Sequence, residues 1–481
     1  MAQTFDLREL IGLDLPGNNT VSGIASDSRK AAAGFVFFAI PGTKVDGAKY
    51  ANDAATRGAT VVVGEGARPA ELLERLHYYR VQDVRRELAL AAAKVFPRQP
   101  RTMVAVTGTN GKTSVASFVR QIWAALGEKA ASVGTIGLVT PNGETAGSLT
   151  TPDPIALHEL LDRLAREGVT HMAMEASSHG LDQKRLDGVR LAAGAFTNLT
   201  RDHLDYHKTF DDYRAAKMRL FDTLLPAGAA AVVDADEDGA ERVAEIAKRR
   251  GLRYFSVGRA GKDLQLTKMT IDGFAQRLEV ATSGKKYSVR LPLVGAFQVS
   301  NALVAAGLVI ATGSDPARAL AALDDLKGAS GRLEFVGEKN GAPIFIDYAH
   351  TPDALENALT ALRPYVKNKL AVVFGAGGDR DSGKRPLMGA AAAKYADQIY
   401  VTDDNPRSEV PSEIRRAILR EARDATEIGD RTEAVREAVR NLHAGDVLLV
   451  AGKGHETGQI LRDRTIPYTD HDAVKAALKG Q

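Results

Sequence analysis

The chain has 481 residues, 44% of them apolar and 26% charged, with a formal net charge of +3 and no cysteine. That length exceeds what one apolar core serves, so roughly two to four globular domains are expected. The near-balanced charge gives no basic patch for nucleic acid. The lack of cysteine excludes disulfides, thiolate metal sites and a cysteine nucleophile, and no run approaches the roughly 20 apolar residues of a membrane span.

Apolar β-rich runs alternate with helical patterns along most of the chain, which predicts parallel sheets covered by helices. A first block has short strands at 35–40 and 60–63 and ends at the proline-flanked stretch 96–100. The N-terminal residues carry Asp6, Arg8 and Glu9 and no signal-peptide core, so a cytoplasmic protein is expected. A second block opens with a strand at 103–106 and a helix at 114–126, adds strands at 171–174, 193–196 and 230–233, and closes with a helix at 299–310 and a turn at 327–331. A third restarts the alternation with strands at 344–346, 370–374, 398–401 and 447–450. The blocks predict domains at 1–99, 100–329 and 330–481.

The most informative stretch is Gly108-Thr109-Asn110-Gly111-Lys112-Thr113, between the strand and helix that open the second block. Glycines let backbone N–H groups crowd round phosphate oxygens, and the helix N-terminus adds partial positive charge. Lys112 can reach the terminal phosphates, and the Thr113 hydroxyl can meet Mg²⁺. The strict pattern would place glycine at 106, where Val106 stands. The shifted glycine points away from ordinary nucleotide switches.

Polar clusters follow other strands, where ligands of open α/β sheets gather. Glu175 stands at a strand end and can hold Mg²⁺ beside a phosphate; a solvated acid is the alternative from position alone. Asn198 to His207 packs two histidines, two aspartates and an arginine into one loop, a set that can ligate a divalent ion. Lys217, on a helical pattern, reads as a solvated surface group. Asp347-Tyr348-Ala349-His350 and a flexible loop presenting Asp379 and Arg380 follow two strands of the third block. Asp404-Asn405-Pro406-Arg407 and Gly452-Lys453-Gly454-His455-Glu456 can present opposite charges to an amino-acid zwitterion; turn chemistry accounts for both equally well.

From Asp27-Ser28-Arg29 to Gly452-Lys453-Gly454-His455-Glu456, these stretches together resemble the Mur ligases, ATP-dependent amino-acid ligases of peptidoglycan synthesis. The resemblance implies three α/β domains: a small N-terminal UDP-substrate domain, a central P-loop-type mononucleotide-binding parallel sheet, and a C-terminal Rossmann-like domain. Lys112, Glu175, His203 and Lys217 would be catalytic. Thr113, Glu175 and His203 would bind Mg²⁺, and Lys217 matches the lysine that the family carbamylates.

Gly108 to Thr113, Asn301, Arg332, Asp347 and His350 would contact ATP. Ser28, Thr150, Thr151, Ser178, Gln183 and Arg185 would hold the UDP-substrate. Arg380, Asp404, Asn405, Pro406, Arg407, Gly452 and Glu456 would hold the incoming amino acid. One departure is Gln298, where the family carries asparagine.

Within the family the chain most resembles the members that add the third residue of the stem peptide. It is then expected to join meso-diaminopimelate to UDP-MurNAc-L-Ala-D-Glu, as a monomer without nucleic-acid or membrane partners. Arg407 can grip the second carboxylate of diaminopimelate with both arms, whereas lysine offers only an ammonium there. A lysine-adding relative, a folylpolyglutamate-synthase-like ligase and a nucleotide switch without ligase chemistry are the alternatives.

Overall fold

The computed structural model describes residues 4–15, 19–42, 46–145, 147, 149–200 and 206–480. The chain divides into two compact units, Met1–Leu264 with Val304–Ala319, and Gln265–Leu303 with Leu320–Gln481.

The first unit holds two main sheets. The N-terminal one is a four-stranded parallel sheet in the order Gly23–Ala25, Phe35–Phe38, Val61–Gly64, His77–Arg80. Its faces bury separate apolar clusters, one of them shared with the helix Val84–Val95. Asp83 starts that helix by accepting the Arg86 N–H at 2.9 Å.

In the larger sheet the parallel strands run Ala130–Gly134, His171–Glu175, Thr102–Thr107, Ala193–Phe196, Ala230–Asp234, Arg253–Gly258. Thr102–Thr107 lies in the middle and is buried from Met103 onward, as a strand covered on both faces must be. The helix Lys112–Ala125 follows it and buries Phe118, Ile122 and Trp123. The stretch Pro97 to Pro100 carries no regular structure and is tied down by hydrogen bonds. Arg98 N–H donates to Asp162 at 3.0 Å, and the Gln99 amide donates to Gly188 O at 2.9 Å.

In the second unit the sheet order is Glu334–Lys339, Ala342–Asp347, Val447–Ala451, Leu370–Phe374, Gln398–Val401, Thr426–Glu427. All neighbours are parallel except the first pair. Apolar clusters cover both faces.

Among the described residues the expectation of parallel strands fails in several places, including the short pairs Phe5–Asp6 with Thr20–Val21 and Gly458–Ile460 with Thr465–Pro467. Gly137–Thr140 and Gly143–Thr145 form an antiparallel edge, Glu334–Lys339 pairs antiparallel, and Leu264–Asp272, Ala275–Thr282 and Lys285–Leu291 form an antiparallel meander. The meander alternates buried and exposed residues, as strands with one wet face do, and turns at Gly273-Phe274 and Ser283-Gly284.

Candidate active site

In the first unit the phosphate loop sits at the carboxyl end of the central strand. Gly111 (φ +85°) precedes the first helical residue, Lys112, in a left-handed conformation that a side chain would strain. The loop is held from the next strand: Thr109 N–H donates to Asn198 O at 2.9 Å and Asn110 N–H to Asn198 Oδ1 at 2.9 Å. Thr197 Oγ1 donates to Asn110 O at 2.6 Å. Lys112 curls over the loop, with Nζ donating to Gly108 O at 3.0 Å and Thr109 O at 2.8 Å.

Lys217 contradicts the reading as a surface group. It lies on the helix Phe210–Arg219 with only 1% of its area exposed. Its Nζ donates to Gly108 O at 2.6 Å and stands 4.4 Å from the centre of the Tyr213 ring. The Tyr213 hydroxyl in turn lies 3.0 Å from Thr109 Oγ1. Helix and phosphate loop are thus joined through a buried cation.

Glu175 is the last residue of its strand rather than the residue after it. It is buried, which rules out the solvated reading. Thr135, which the sequence analysis missed, orients it: Thr135 N–H donates to Oε1 at 2.8 Å and the Thr135 hydroxyl to Oε2 at 3.1 Å. The available signal was Gly134-Thr135 at the end of the strand Ala130–Gly134. A Cβ on Gly134 would lie 2.0 Å from Glu175 Oε1, so only glycine admits the carboxylate there.

Of the six residues expected around the UDP-substrate, Thr150, Thr151, Gln183 and Arg185 belong to a hydrogen-bond network that reaches Glu175. Thr151 Oγ1 donates to Glu175 O at 2.8 Å, and Thr150 Oγ1 lies 3.1 Å from Thr135 Oγ1. Arg185 donates to Thr151 O at 2.6 Å and to Gln183 Oε1 at 2.7 Å, and Gln183 Nε2 donates to the Tyr206 hydroxyl at 3.1 Å. Ser178 opens the short helix Ser178–Asp182 and is buried. Ser28 is buried on the N-terminal sheet's side, in a one-turn helix capped by Asp27, and takes no part in this network. Of the expected metal loop, Arg201 to Asp205, including His203, lie outside the described residues. His207 packs among the rings of His179, Tyr206 and Tyr213.

In the second unit the expected ligands occupy loops at the carboxyl ends of neighbouring parallel strands. Asp347 ends Ala342–Asp347 and accepts the N–H groups of Leu333 and Ala349 at 2.7 and 2.8 Å. Burial raises its pKa above the ordinary carboxylate value, against Arg332 and these two donors, which lower it. The Arg332 guanidinium lies 4.9 Å from the centre of the Tyr348 ring. His350 is exposed and donates Nδ1–H to Tyr348 O at 2.8 Å. Gln298 has a definite place: its Nε2 donates to Arg332 O at 3.2 Å and its Oε1 accepts Asn301 Nδ2 at 3.1 Å.

Asn405 and Glu456 meet across two loops. Asn405 Nδ2 donates to Glu456 Oε2 at 2.8 Å, and the buried Lys453 donates to Asn405 Oδ1 at 2.9 Å and Glu456 Oε2 at 3.0 Å. Asp404 is buried, and Gly452 N–H donates to Asp347 O at 3.0 Å. Beside Glu456, burial and then Arg332 hold His455 down to a pKa of about 4, so its imidazole is neutral. Arg407 donates Nη1–H to Gly378 O at 2.8 Å, and Pro406 is buried beneath it in sequence. Arg380 is exposed. Asp379 is exposed, and its carboxylate is bonded to Ser408.

The first unit carries a glycine-lysine loop at the end of a central parallel strand, and the second carries charged loops at the carboxyl ends of its parallel strands. Family models match along the chain: Mur ligase family, catalytic domain over residues 20–97; Mur ligase middle domain over 106–309; and Mur ligase, glutamate ligase domain over 331–454. The chain belongs to the Mur ligase family and has its three-domain α/β fold.

Curated relatives from Bradyrhizobium diazoefficiens (58% identical, 99% of each chain) and Mesorhizobium japonicum (57% identical, 98% of this chain and 99% of the relative) are similar to it throughout. Both are named UDP-N-acetylmuramoyl-L-alanyl-D-glutamate--2,6-diaminopimelate ligase. A solved structure of a ligase of that name is 30% identical, covers 100% of this chain and 99% of its own, and superimposes with a TM-score of 0.75.

Proposed function

We propose that this chain is an ATP-dependent amide ligase that joins meso-diaminopimelate to UDP-MurNAc-L-Ala-D-Glu in peptidoglycan synthesis, with residues 1–99, 100–329 and 330–481 as its working domains. The observation that carries this reading is the convergence of the phosphate loop with Lys217 on one side, and Glu175 on the adjacent strand, at the carboxyl edge of one sheet. A switch protein needs the loop alone.

The chemistry follows from the electrophile. A carboxylate resists attack by an amine, so the terminal carboxylate of the acceptor first takes the γ-phosphoryl group of ATP, giving an acyl phosphate and ADP. The amine of diaminopimelate then attacks the acyl carbon, the amine proton is lost, and the tetrahedral intermediate expels phosphate. Lys112, whose amine now bonds the loop's own carbonyls, would offset charge on the transferring phosphoryl group.

The Thr113 hydroxyl, in the first turn of the helix Lys112–Ala125, and the Glu175 carboxylate, at the end of the strand paired with Thr102–Thr107, are hard oxygen donors, a set that fits Mg²⁺. When bound, Mg²⁺ neutralises charge on the phosphates. His203 and a carbamate on Lys217 are assigned to a second Mg²⁺, the carbamate turning a buried cation into an acid.

Asn301, Arg332, Asp347 and His350 are assigned to the adenosine and phosphates. The Thr150, Thr151, Ser178, Gln183 and Arg185 group, with Ser28, is assigned to the UDP-substrate. For the amino acid, Asp404, Asn405, Gly452 and Glu456 offer acceptors to ammonium groups, and Arg380 and Arg407 offer donors to carboxylates. Lys453 fixes the Glu456 carboxylate through a 3.0 Å ion pair.

The test is Lys112→Ala. Its acceptor-dependent phosphate release is expected to fall by about three orders of magnitude, within the range for losing a charged group that acts on the transition state, while its circular dichroism and melting stay near wild type. A folded variant turning over at close to the wild-type rate would contradict the assignment.

A further inference from the structure

Arg407 stands in a backbone conformation that long side chains avoid, with φ at +53°. Asp379, on the loop after the neighbouring strand Leu370–Phe374, has φ +53° as well. Such residues persist only where their surroundings over-determine them. Here the two are held by each other's loops.

The Asp379 carboxylate accepts the Ser408 N–H at 3.2 Å and the Ser408 hydroxyl. The Asp379 N–H donates to Glu409 Oε1 at 2.6 Å. That oxygen also takes Arg385 Nη2 at 2.8 Å, and Arg385 is buried on the helix Lys384–Tyr395. The same Nη2 reaches Gly377 O at 3.3 Å. Gly378 N–H donates to Asn405 O at 2.9 Å, and Gly378 O accepts the Arg407 guanidinium. The loops approach so closely that a Cβ on Gly378 would lie 1.9 Å from Pro406 O. From the far side, Arg407 N–H donates to Ile460 O at 3.1 Å.

We propose that Asp379 and Glu409, anchored on buried Arg385, form a latch that aims the Arg407 guanidinium and thereby sets the preference for an amino acid with a second, distal carboxylate. The inference rests on the reading of Arg407 given above. Asp379 and Glu409 are positioning residues: Asp379 bonds Ser408, next to Arg407, Glu409 holds Asp379 and Arg385, and both act on substrate only through Arg407. A bidentate fork tolerates little misalignment, so loosening its backbone weakens the carboxylate contact while leaving a simple ammonium contact untouched.

The experiment compares steady-state kinetics with meso-diaminopimelate and with L-lysine for the wild type, Arg407→Ala, Asp379→Ala and Asp379→Asn. Alanine removes the acceptor and disfavours the left-handed backbone; asparagine keeps an acceptor and tolerates that backbone. Asp379→Ala is expected to raise KM for diaminopimelate about tenfold, the scale of one hydrogen bond to a charged group. Its kcat and its KM for ATP should stay within about twofold, and its diaminopimelate-to-lysine ratio should fall, with Asp379→Asn restoring most of the loss.

An unchanged KM for diaminopimelate in Asp379→Ala, or a parallel rise in the KM for ATP, would overturn the latch while leaving Arg407 its role. An unchanged KM in Arg407→Ala would overturn the reading beneath it. Should Asp379→Ala fail to fold, Glu409→Gln reads the same ratio.

Discussion

The residues that matter most here differ in how openly the sequence displays them. The phosphate loop is legible because every part of it is local: strand, glycines, Lys112, helix. Lys217 is not, because the periodicity of one helix cannot reveal that a neighbouring loop carbonyl, Gly108 O, lies 2.6 Å from its amine. Thr135 is missed for the same reason, since its two bonds to Glu175 span forty positions of sequence. Glycine at 134 is a direct consequence of that contact. Gly134→Ala is expected to push the Glu175 carboxylate aside and cut ligase turnover by at least about tenfold, a displacement cost of the order seen for misplaced active-site groups. Unfolding by denaturant should show a folded protein. Full activity in the alanine variant would mean that Glu175 does not act from this position.

Single elements in this fold are tied to one another by charges at their ends. Arg431, first residue of the helix Arg431–Arg440, and Asp470, first residue of Asp470–Leu478, form a wholly buried pair at 2.7 Å. Burial disfavours the Arg431 cation, but the Asp470 charge and hydrogen bond outweigh it and raise the guanidinium's pKa. Next in sequence, His471 bonds Glu334 at 2.7 Å, and Glu334 Oε2 also accepts the Gly331 N–H at 2.7 Å. The bond to Glu334 raises the pKa of His471 above 6.5, against burial.

A histidine whose folded pKa is raised contributes stability that is complete below its unfolded pKa and is lost as pH rises through the folded value. His471→Gln should therefore lower the melting temperature more at about pH 5 than at about pH 9, the contribution being lost as pH rises through the folded value. An equal loss at both values would show that the charge contributes nothing. Elements with continuous apolar runs were legible in the sequence, Leu370–Phe374 and Ala193–Phe196 among them. The antiparallel meander was not, because its alternation is broken by a register shift between Leu266 and Lys268 and its charged wet face reads as loop.

At the scale of the whole molecule, each unit places its ligand loops by one rule: parallel strands deliver their carboxyl ends to a single edge. Thr107 and Glu175 do so in the first unit, and Asp347, Phe374, Val401 and Ala451 in the second. Residues far apart in sequence are thereby joined into local networks, around Glu175 in the first unit and around Glu456 in the second. The order of strands could not be read from the sequence, since alternation predicts helices on sheets but not which strand lies beside which.

Among the described residues, no helix is long and apolar enough to cross a membrane. The central claim is that this plan serves one reaction, amide formation with a dicarboxylic diamino acid. It is tested most directly by incubating the protein with ATP, Mg²⁺ and UDP-MurNAc-L-Ala-D-Glu, adding either meso-diaminopimelate or L-lysine, and quantifying phosphate and tripeptide product together. Equimolar phosphate and product are expected with diaminopimelate, and little of either with lysine. Equal turnover of lysine, or phosphate released without product, would contradict it.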